Sequence, residues 1–154
     1  MIVYFDSSVI ARAYLANESG HEAALALIRN PAHTAITGSW TRIEVTGALV
    51  RSARATGRSA DDLLAALDAD FADAGGSIGV VDAVQAEIEH VALTLVRKYG
   101  LRSMDAWHLA CANLAFEELA EPGEELGFAT RDSEQAAVAR EFGYTLVFEK
   151  ELTP

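Results

Sequence analysis

The sequence predicts an α/β sandwich, in which a mostly parallel sheet is covered by helices on both faces. Short apolar runs typical of buried strands alternate with longer segments whose apolar residues recur at helical spacing. The first run, IVYF at residues 2–5, is wholly apolar, as expected for a strand buried on both faces. With 154 residues and 51% hydrophobic content, the chain is long enough for one domain with a substantial core.

In the first half of the chain, breaks separate the periodic segments. Asn30-Pro31 and Thr56-Gly57 interrupt the pattern, as such dipeptides do in turns. Asp61 and Asp62 suit the first turn of a helix that Ser59 caps, because acidic side chains interact favourably with a helix N-terminus. The predicted elements are a strand at 2–5, helices at 9–16 and 21–29, a strand at 35–37, a helix at 39–55 and a helix beginning at Ser59.

The second half repeats this alternation. Gly75-Gly76 precedes a short strand, Gly100 ends an amphipathic helix, and Pro122-Gly123 separates the next helix from the following strand. The helix beginning near Met104 is apolar nearly all round, which predicts burial. The predicted elements are strands at 78–81, 126–129 and 144–148, with helices at 84–99, 104–119 and 133–142.

Composition limits the possible functions. The net charge of -11 argues against a general basic nucleic-acid-binding surface, but not against a nuclease whose pocket holds metal ions. We see no secretion signal and no run of about 20 apolar residues that could cross a bilayer. Cys111 is the only cysteine, which excludes an internal disulfide and favours a cytoplasmic location. Its apolar helical setting predicts a core residue rather than a nucleophile.

Two aspartates follow predicted strands. Asp6 comes directly after IVYF, and Asp132 follows the strand at 126–129. Either residue could simply cap the next helix. Alternatively, both lie at the carboxyl edge of the sheet, where open α/β sheets bind their ligands.

Two further acids lie in predicted helices. Asp105 begins the buried helix, where it could interact with the helix N-terminus or pair with Arg102. Glu44 lies between Ile43 and Val45 and could face solvent. His108, one turn after Asp105, is more typical of a satisfied core histidine than of a metal ligand.

Taken together, the four acids predict a metal site. Carboxylates about 4 Å apart repel by about 4 kcal/mol at an effective dielectric constant of about 20, so a converging cluster needs protons or cations. Carboxylate oxygens without clustered Cys or His favour Mg²⁺ or Mn²⁺ over zinc.

Four segments carrying these acids resemble one known family. IVYFDSSVIARAY, SWTRIEVTGAL, RSMDAWHLACA and FATRDSEQAAVAREFG are similar, in order and spacing, to the motifs of PIN-domain ribonucleases and, within them, VapC toxins of VapBC toxin–antitoxin pairs. The resemblance implies metal-binding and catalytic roles for Asp6, Glu44, Asp105 and Asp132, supported by Ser8 and Thr130. An acidic insertion, EELAEPGEEL at 117–126, lengthens the gap before Asp132.

The resemblance also implies a fold, an activity and partners. It implies a single PIN domain over residues 1–154, with a parallel sheet of about five strands in the order 3-2-1-4-5. The implied activity is Mg²⁺- or Mn²⁺-dependent endonucleolytic hydrolysis of RNA by metal-activated water. The implied partners are a cognate VapB antitoxin, an arginine of which often enters the acidic site in this family, and a second copy of the chain. Apolar faces at 9–16 and 40–50 agree with a homodimer.

Two other functions fit parts of the pattern. A non-catalytic PIN-like binding module would keep the fold without turnover. An aspartate-nucleophile phosphatase of the haloacid-dehalogenase kind also has an aspartate after its first strand, but it needs a second aspartate two residues later, where Ser8 stands. It also needs a well-placed lysine, and Lys98 and Lys150 fit poorly.

Overall fold

The sheet has the predicted architecture. A computed structural model describes residues 1–148; Lys150 and the predicted domain end at residue 154 lie outside this range. Within it, five strands form one sheet in the order β3-β2-β1-β4-β5, and every neighbouring pair is parallel. The strands are β1 (Ile2–Phe5), β2 (Thr34–Gly38), β3 (Gly79–Val81), β4 (Leu126–Ala129) and β5 (Thr145–Leu146). The predicted order 3-2-1-4-5 is confirmed.

Each predicted helix is present, with some changed ends. The helices are α1 (Ser7–Arg12), α2 (His21–Ile28), α3 (Thr41–Ala55), α4 (Asp61–Asp70), α5 (Gln85–Tyr99), α6 (Ser103–Leu119) and α7 (Ser133–Glu141). The first helix was predicted at 9–16 but both begins and ends earlier, at Ser7 and Arg12. The helix begins at Ser7 because the Asp6 side chain caps it. β5 is also shorter than predicted, since it pairs with β4 through two residues only.

The central strand explains the wholly apolar opening. All four residues of β1 are buried. Ile2 and Tyr4 pack in one core cluster with α5, α6 and α7, whereas Val3 and Phe5 pack in the other with α1 to α4. Because successive strand residues point to opposite faces, both must be apolar when helices cover both sides. The structure is therefore the predicted α/β/α sandwich.

Helix α6 is the most buried helix beside the sheet. Nine of its residues are buried, including Cys111 and His108. The prediction that Cys111 is a core residue is confirmed, and burial raises the pKa of its thiol to about 12. The acidic insertion forms the end of α6 and the loop before β4. None of the helices within residues 1–148 has the length and apolar character needed to cross a bilayer.

Candidate functional site

A cleft of about 190 Å³ lies at the carboxyl edge of the sheet. Its lining includes all four predicted acids, Asp6, Glu44, Asp105 and Asp132. The other lining residues are Ser7, Ser8, Arg102, Met104, His108 and Arg131. Asp6 follows β1 and Asp132 follows β4, and these strands are neighbours in the sheet. Because β2 lies on one side of β1 and β4 on the other, the cleft is at the point where the strand order reverses.

Asp6 has two structural roles at once. Its side chain is 4% exposed. One carboxylate oxygen accepts a hydrogen bond from the backbone N–H of Ser8, which caps α1, and the other accepts a 2.6 Å bond from the Thr130 hydroxyl. The capping and cleft interpretations of Asp6 are therefore compatible. A carboxylate has about four acceptor positions, so Asp6 retains capacity for further ligands.

Thr130 connects the two acids that follow strands. Its buried hydroxyl donates to Asp6 and accepts a 3.0 Å bond from the backbone N–H of Asp132. Ser8 contributes from the other side, since its hydroxyl accepts a 3.2 Å bond from the backbone N–H of Arg131. Both residues thus tie the β1 end of the cleft to the β4 end, as supporting residues would.

Asp132 also combines a cap with a position in the cleft. Its Oδ1 accepts a 2.8 Å bond from the backbone N–H of Gln135 at the start of α7, and its Oδ2 pairs with Arg102. The acid is therefore oriented by its own helix, while its second oxygen faces a cation.

Arg102 spans two of the acids. Its Nε donates to Asp105 Oδ2 at 2.8 Å, and its terminal nitrogen pairs with Asp132. Burial raises the pKa of the Asp105 carboxyl, Arg102 opposes this, and the charges of Asp132 and Asp6 add to the rise. The expected Arg102–Asp105 pair is present, but sequence reasoning missed the bridge to Asp132.

Glu44 reaches the cleft from the opposite helical layer. It lies in the first turn of α3, and its Oε2 is 2.8 Å from His108 Nε2. The other ring nitrogen of His108 is 3.0 Å from the Tyr4 hydroxyl. Glu44 is thus a partly buried cleft residue rather than a solvent-facing one. His108 has the expected buried position, but it also lines the cleft; its place one turn after Asp105 on the same helix face is the signal that could have shown this.

The donor set agrees with a hard cation. The four acids supply only oxygen, which suits Mg²⁺ or Mn²⁺, and the guanidinium of Arg102 pairs with two of them. Across residues 1–148, no three acidic, His or Cys side chains are grouped tightly enough to form a ready metal site.

An apolar groove of about 420 Å³ adjoins the cleft and shares Met104 with it. Its apolar lining comes from α5, α6 and the residue before α3: Trp40, Ala92, Leu93, Val96, Met104 and Trp107. Trp40 is 46% exposed and Leu93 is 55% exposed. Large exposed apolar side chains that cluster in this way mark interaction surfaces.

Comparison with known proteins agrees with this arrangement. No curated protein matches the chain significantly. A toxin-antitoxin complex from Klebsiella pneumoniae contains a chain of similar fold, with a TM-score of 0.54 and 18% identity over 88% of this chain and 90% of that one. The profile of the PIN domain matches residues 3–141, which include most of β1, strands β2 to β4 and all four acids. This chain belongs to the PIN domain family.

Proposed function

We propose that this protein is a Mg²⁺- or Mn²⁺-dependent endoribonuclease and the toxin of a VapBC pair, acting in the cytoplasm. One observation carries the proposal: four carboxylates from separate segments of a PIN domain line one cleft where the strand order reverses. Carboxylates that approach one another in such a cleft repel unless cations compensate them. A metal-dependent nuclease places such cations beside a phosphodiester.

In this proposal Asp6 and Asp105 would be the principal ligands of the ion. Glu44 and Asp132 would hold the water network or a second ion. A bound divalent ion supplies two effects: it lowers the pKa of a water molecule and it stabilises charge on the phosphoryl group. Thr130 and the N–H of Ser8 keep the Asp6 carboxylate in one orientation, so little reorganisation is needed when RNA binds.

Arg102 is assigned to the RNA phosphates. Its side chain is 72% exposed, and a guanidinium matches phosphate oxygens in a two-pronged geometry. If a divalent ion replaced Arg102 as the cation beside Asp105 and Asp132, Arg102 would be able to turn toward the substrate. It would then supply positive charge locally in a chain whose net charge is -11.

A VapB antitoxin is the proposed protein partner. The acidic cleft suits an arginine from such a partner, and the neighbouring groove with Trp40 and Leu93 suits its apolar side chains. The similarity to a chain of a toxin-antitoxin complex supports this assignment. We also propose a homodimer; Ile43, 67% exposed on α3, is one candidate for its interface. Sedimentation of the isolated protein at micromolar concentration would test it, and a monomer would count against it.

Cleavage of a generic RNA tests the proposed activity. We expect cleavage with Mg²⁺ or Mn²⁺, loss of cleavage with EDTA, and products with 5′-phosphate and 3′-hydroxyl ends, since water rather than the ribose hydroxyl attacks. Asp105→Asn should abolish cleavage, whereas Asp62→Asn, an exposed acid of α4, should not. Full activity in EDTA, or 2′,3′-cyclic phosphate ends, would overturn the proposal.

A non-catalytic binding module is the second candidate. The Arg102 bridge favours it, because the cleft already contains a cation that compensates Asp105 and Asp132. Such a module would bind RNA or the antitoxin without turnover in the same assay. The phosphatase alternative has less support: none of the described residues lining the cleft is a lysine, and Lys98 bonds to Tyr99 on α5. Turnover of a phosphomonoester without RNA cleavage would instead support the phosphatase alternative.

A further inference from the structure

We propose that His108 is a positioning residue, which receives a hydrogen bond from Tyr4 and holds the Glu44 carboxylate in place for the metal-binding cleft. The inference rests on the proposed function, because it assigns Glu44 to that site. It adds two residues, one in the central strand and one in the buried helix, whose polar atoms would serve the site through Glu44.

The histidine joins all three layers of the sandwich. His108 belongs to α6 on one face of the sheet, Glu44 to α3 on the other face, and Tyr4 to the central strand. The two hydrogen bonds are 2.8 Å to Glu44 and 3.0 Å to Tyr4. His108 is 2% exposed and Tyr4 is fully buried. A polar chain of this kind in a core is costly unless each member is satisfied.

The partners determine which ring nitrogen carries the proton. A phenol is protonated at neutral pH and can donate, whereas a carboxylate can only accept. The Nε2 that faces the Glu44 carboxylate therefore donates to it, and Nδ1 accepts from the Tyr4 hydroxyl. This is the arrangement in which an outer hydrogen bond fixes the tautomer that serves a site.

Packing fixes the plane of the ring as well. The rings of Trp107 and Tyr4 meet the imidazole edge-on, with centroid distances of 5.3 Å and 6.0 Å. The Nε2–H is thus aimed before any ligand binds, which is what a preorganised site requires. Backbone N–H groups orient Asp6 and Asp132, and Arg102 orients Asp105; His108 does the same for Glu44.

Calorimetric titration with Mn²⁺ alone measures how much His108 contributes to metal affinity, without relying on activity. Hydrogen-bond partners of metal ligands typically contribute about 10–100-fold to metal affinity. We expect a loss in that range for His108→Phe and a smaller loss for Tyr4→Phe. His108→Gln should recover much of the affinity, because its amide still offers an N–H to Glu44. Phe116→Leu, a buried change elsewhere in α6, should leave affinity unchanged.

The outcomes separate the two levels of the proposal. If the wild-type protein binds no Mn²⁺, the proposed function fails. If the wild type binds Mn²⁺ but His108→Phe loses no more affinity than Phe116→Leu, the role of His108 is overturned. Should His108→Phe not fold, Tyr4→Phe carries the test, since it keeps the ring and removes only the hydroxyl. Nitrogen NMR of the imidazole must also show the Nε2–H tautomer; the other tautomer would contradict the assignment.

Discussion

The Thr130 hydroxyl donates a 2.6 Å hydrogen bond to the carboxylate of Asp6, although 124 positions separate the two residues. The same hydroxyl accepts a hydrogen bond from the backbone N–H of Asp132. One buried side chain therefore links the acids that follow β1 and β4. We expect this link to help set the spacing of the cleft, because its partners follow different strands.

Replacing Thr130 tests that link. Thr130→Val keeps the shape but leaves an oxygen of buried Asp6 without its donor, and a hydrogen bond to a charged group is worth about 1.5–3 kcal/mol. We expect a decrease of that order in the free energy of unfolding, measured by denaturant titration, together with weaker RNA cleavage. Thr145→Val is the control, since its hydroxyl bonds Glu125 at the surface. Equal effects of the two changes would contradict the role of Thr130.

Neutralising Asp6 should separate folding from activity. Asp6→Asn keeps the size of the side chain, and its carbonyl oxygen can still accept the N–H of Ser8 that caps α1. It removes the charge that would retain a divalent ion and reduces repulsion with Asp105. We expect cleavage and cellular toxicity to be lost with antitoxin binding intact; the loss of the hydrogen bond from Thr130 offsets the relieved repulsion, so the melting temperature should stay close to that of the wild type. Asp73→Asn, at the surface, should retain activity. A variant that still cleaves RNA would exclude Asp6 from the site.

Removing the charge of Arg102 should change metal affinity. In the cleft, Arg102 competes for Asp105 and Asp132. Arg102→Gln should therefore tighten Mn²⁺ binding, while lowering the melting temperature without metal because the acids lose their partner. RNA affinity should fall as well, because the proposed contact of Arg102 with the RNA phosphates is lost. Arg97→Gln, an exposed change on α5, provides the comparison. Weaker Mn²⁺ binding by Arg102→Gln would show that the arginine supports the ion rather than competing with it.

The Cys111 thiol should be unreactive in the native protein. It is fully buried, and burial raises the pKa of the thiol to about 12; the thiolate is the reactive form. Because this pKa is higher in the folded than in the unfolded chain, the associated stability is present below the unfolded pKa and is lost as pH rises toward the folded value. A thiol reagent at mildly alkaline pH should label the protein only after denaturation. Rapid labelling without denaturant would place Cys111 nearer the surface.

Local patterns predicted the elements and the strand ends well. The wholly apolar β1 followed by Asp6 predicted a central strand, because such a strand has two buried faces. Its carboxyl end lies at the cleft, which is why a polar residue follows it. The start of α1 was misplaced because the cap depends on the side chain of Asp6 turning back to Ser8, which apolar spacing does not encode. Capping and a position in the cleft were the two interpretations of Asp6, and in the structure Asp6 both caps α1 and lines the cleft.

Contacts between site residues that are distant in sequence were not predicted. Arg102 pairs with Asp132, 30 positions away, and His108 contacts Glu44, 64 positions away. Neither pair lies on one helix face, so helical spacing carries no signal for them. Each depends on how far a side chain extends between separate elements. The sequence therefore indicated which acids gather, but not which residues hold them.

A crystal structure with Mn²⁺, located by its anomalous scattering, tests the metal site most directly. We expect one strong peak in the cleft, coordinated directly by the carboxylates of Asp6 and Asp105, with Arg102 turned away from Asp105. Mg²⁺ in the same crystals should have oxygen ligands at about 2.0–2.1 Å. Saturating Mn²⁺ that leaves the Arg102 bridge in place, with no peak beside Asp6 and Asp105, would contradict the assignment of this cleft as a metal-dependent nuclease site.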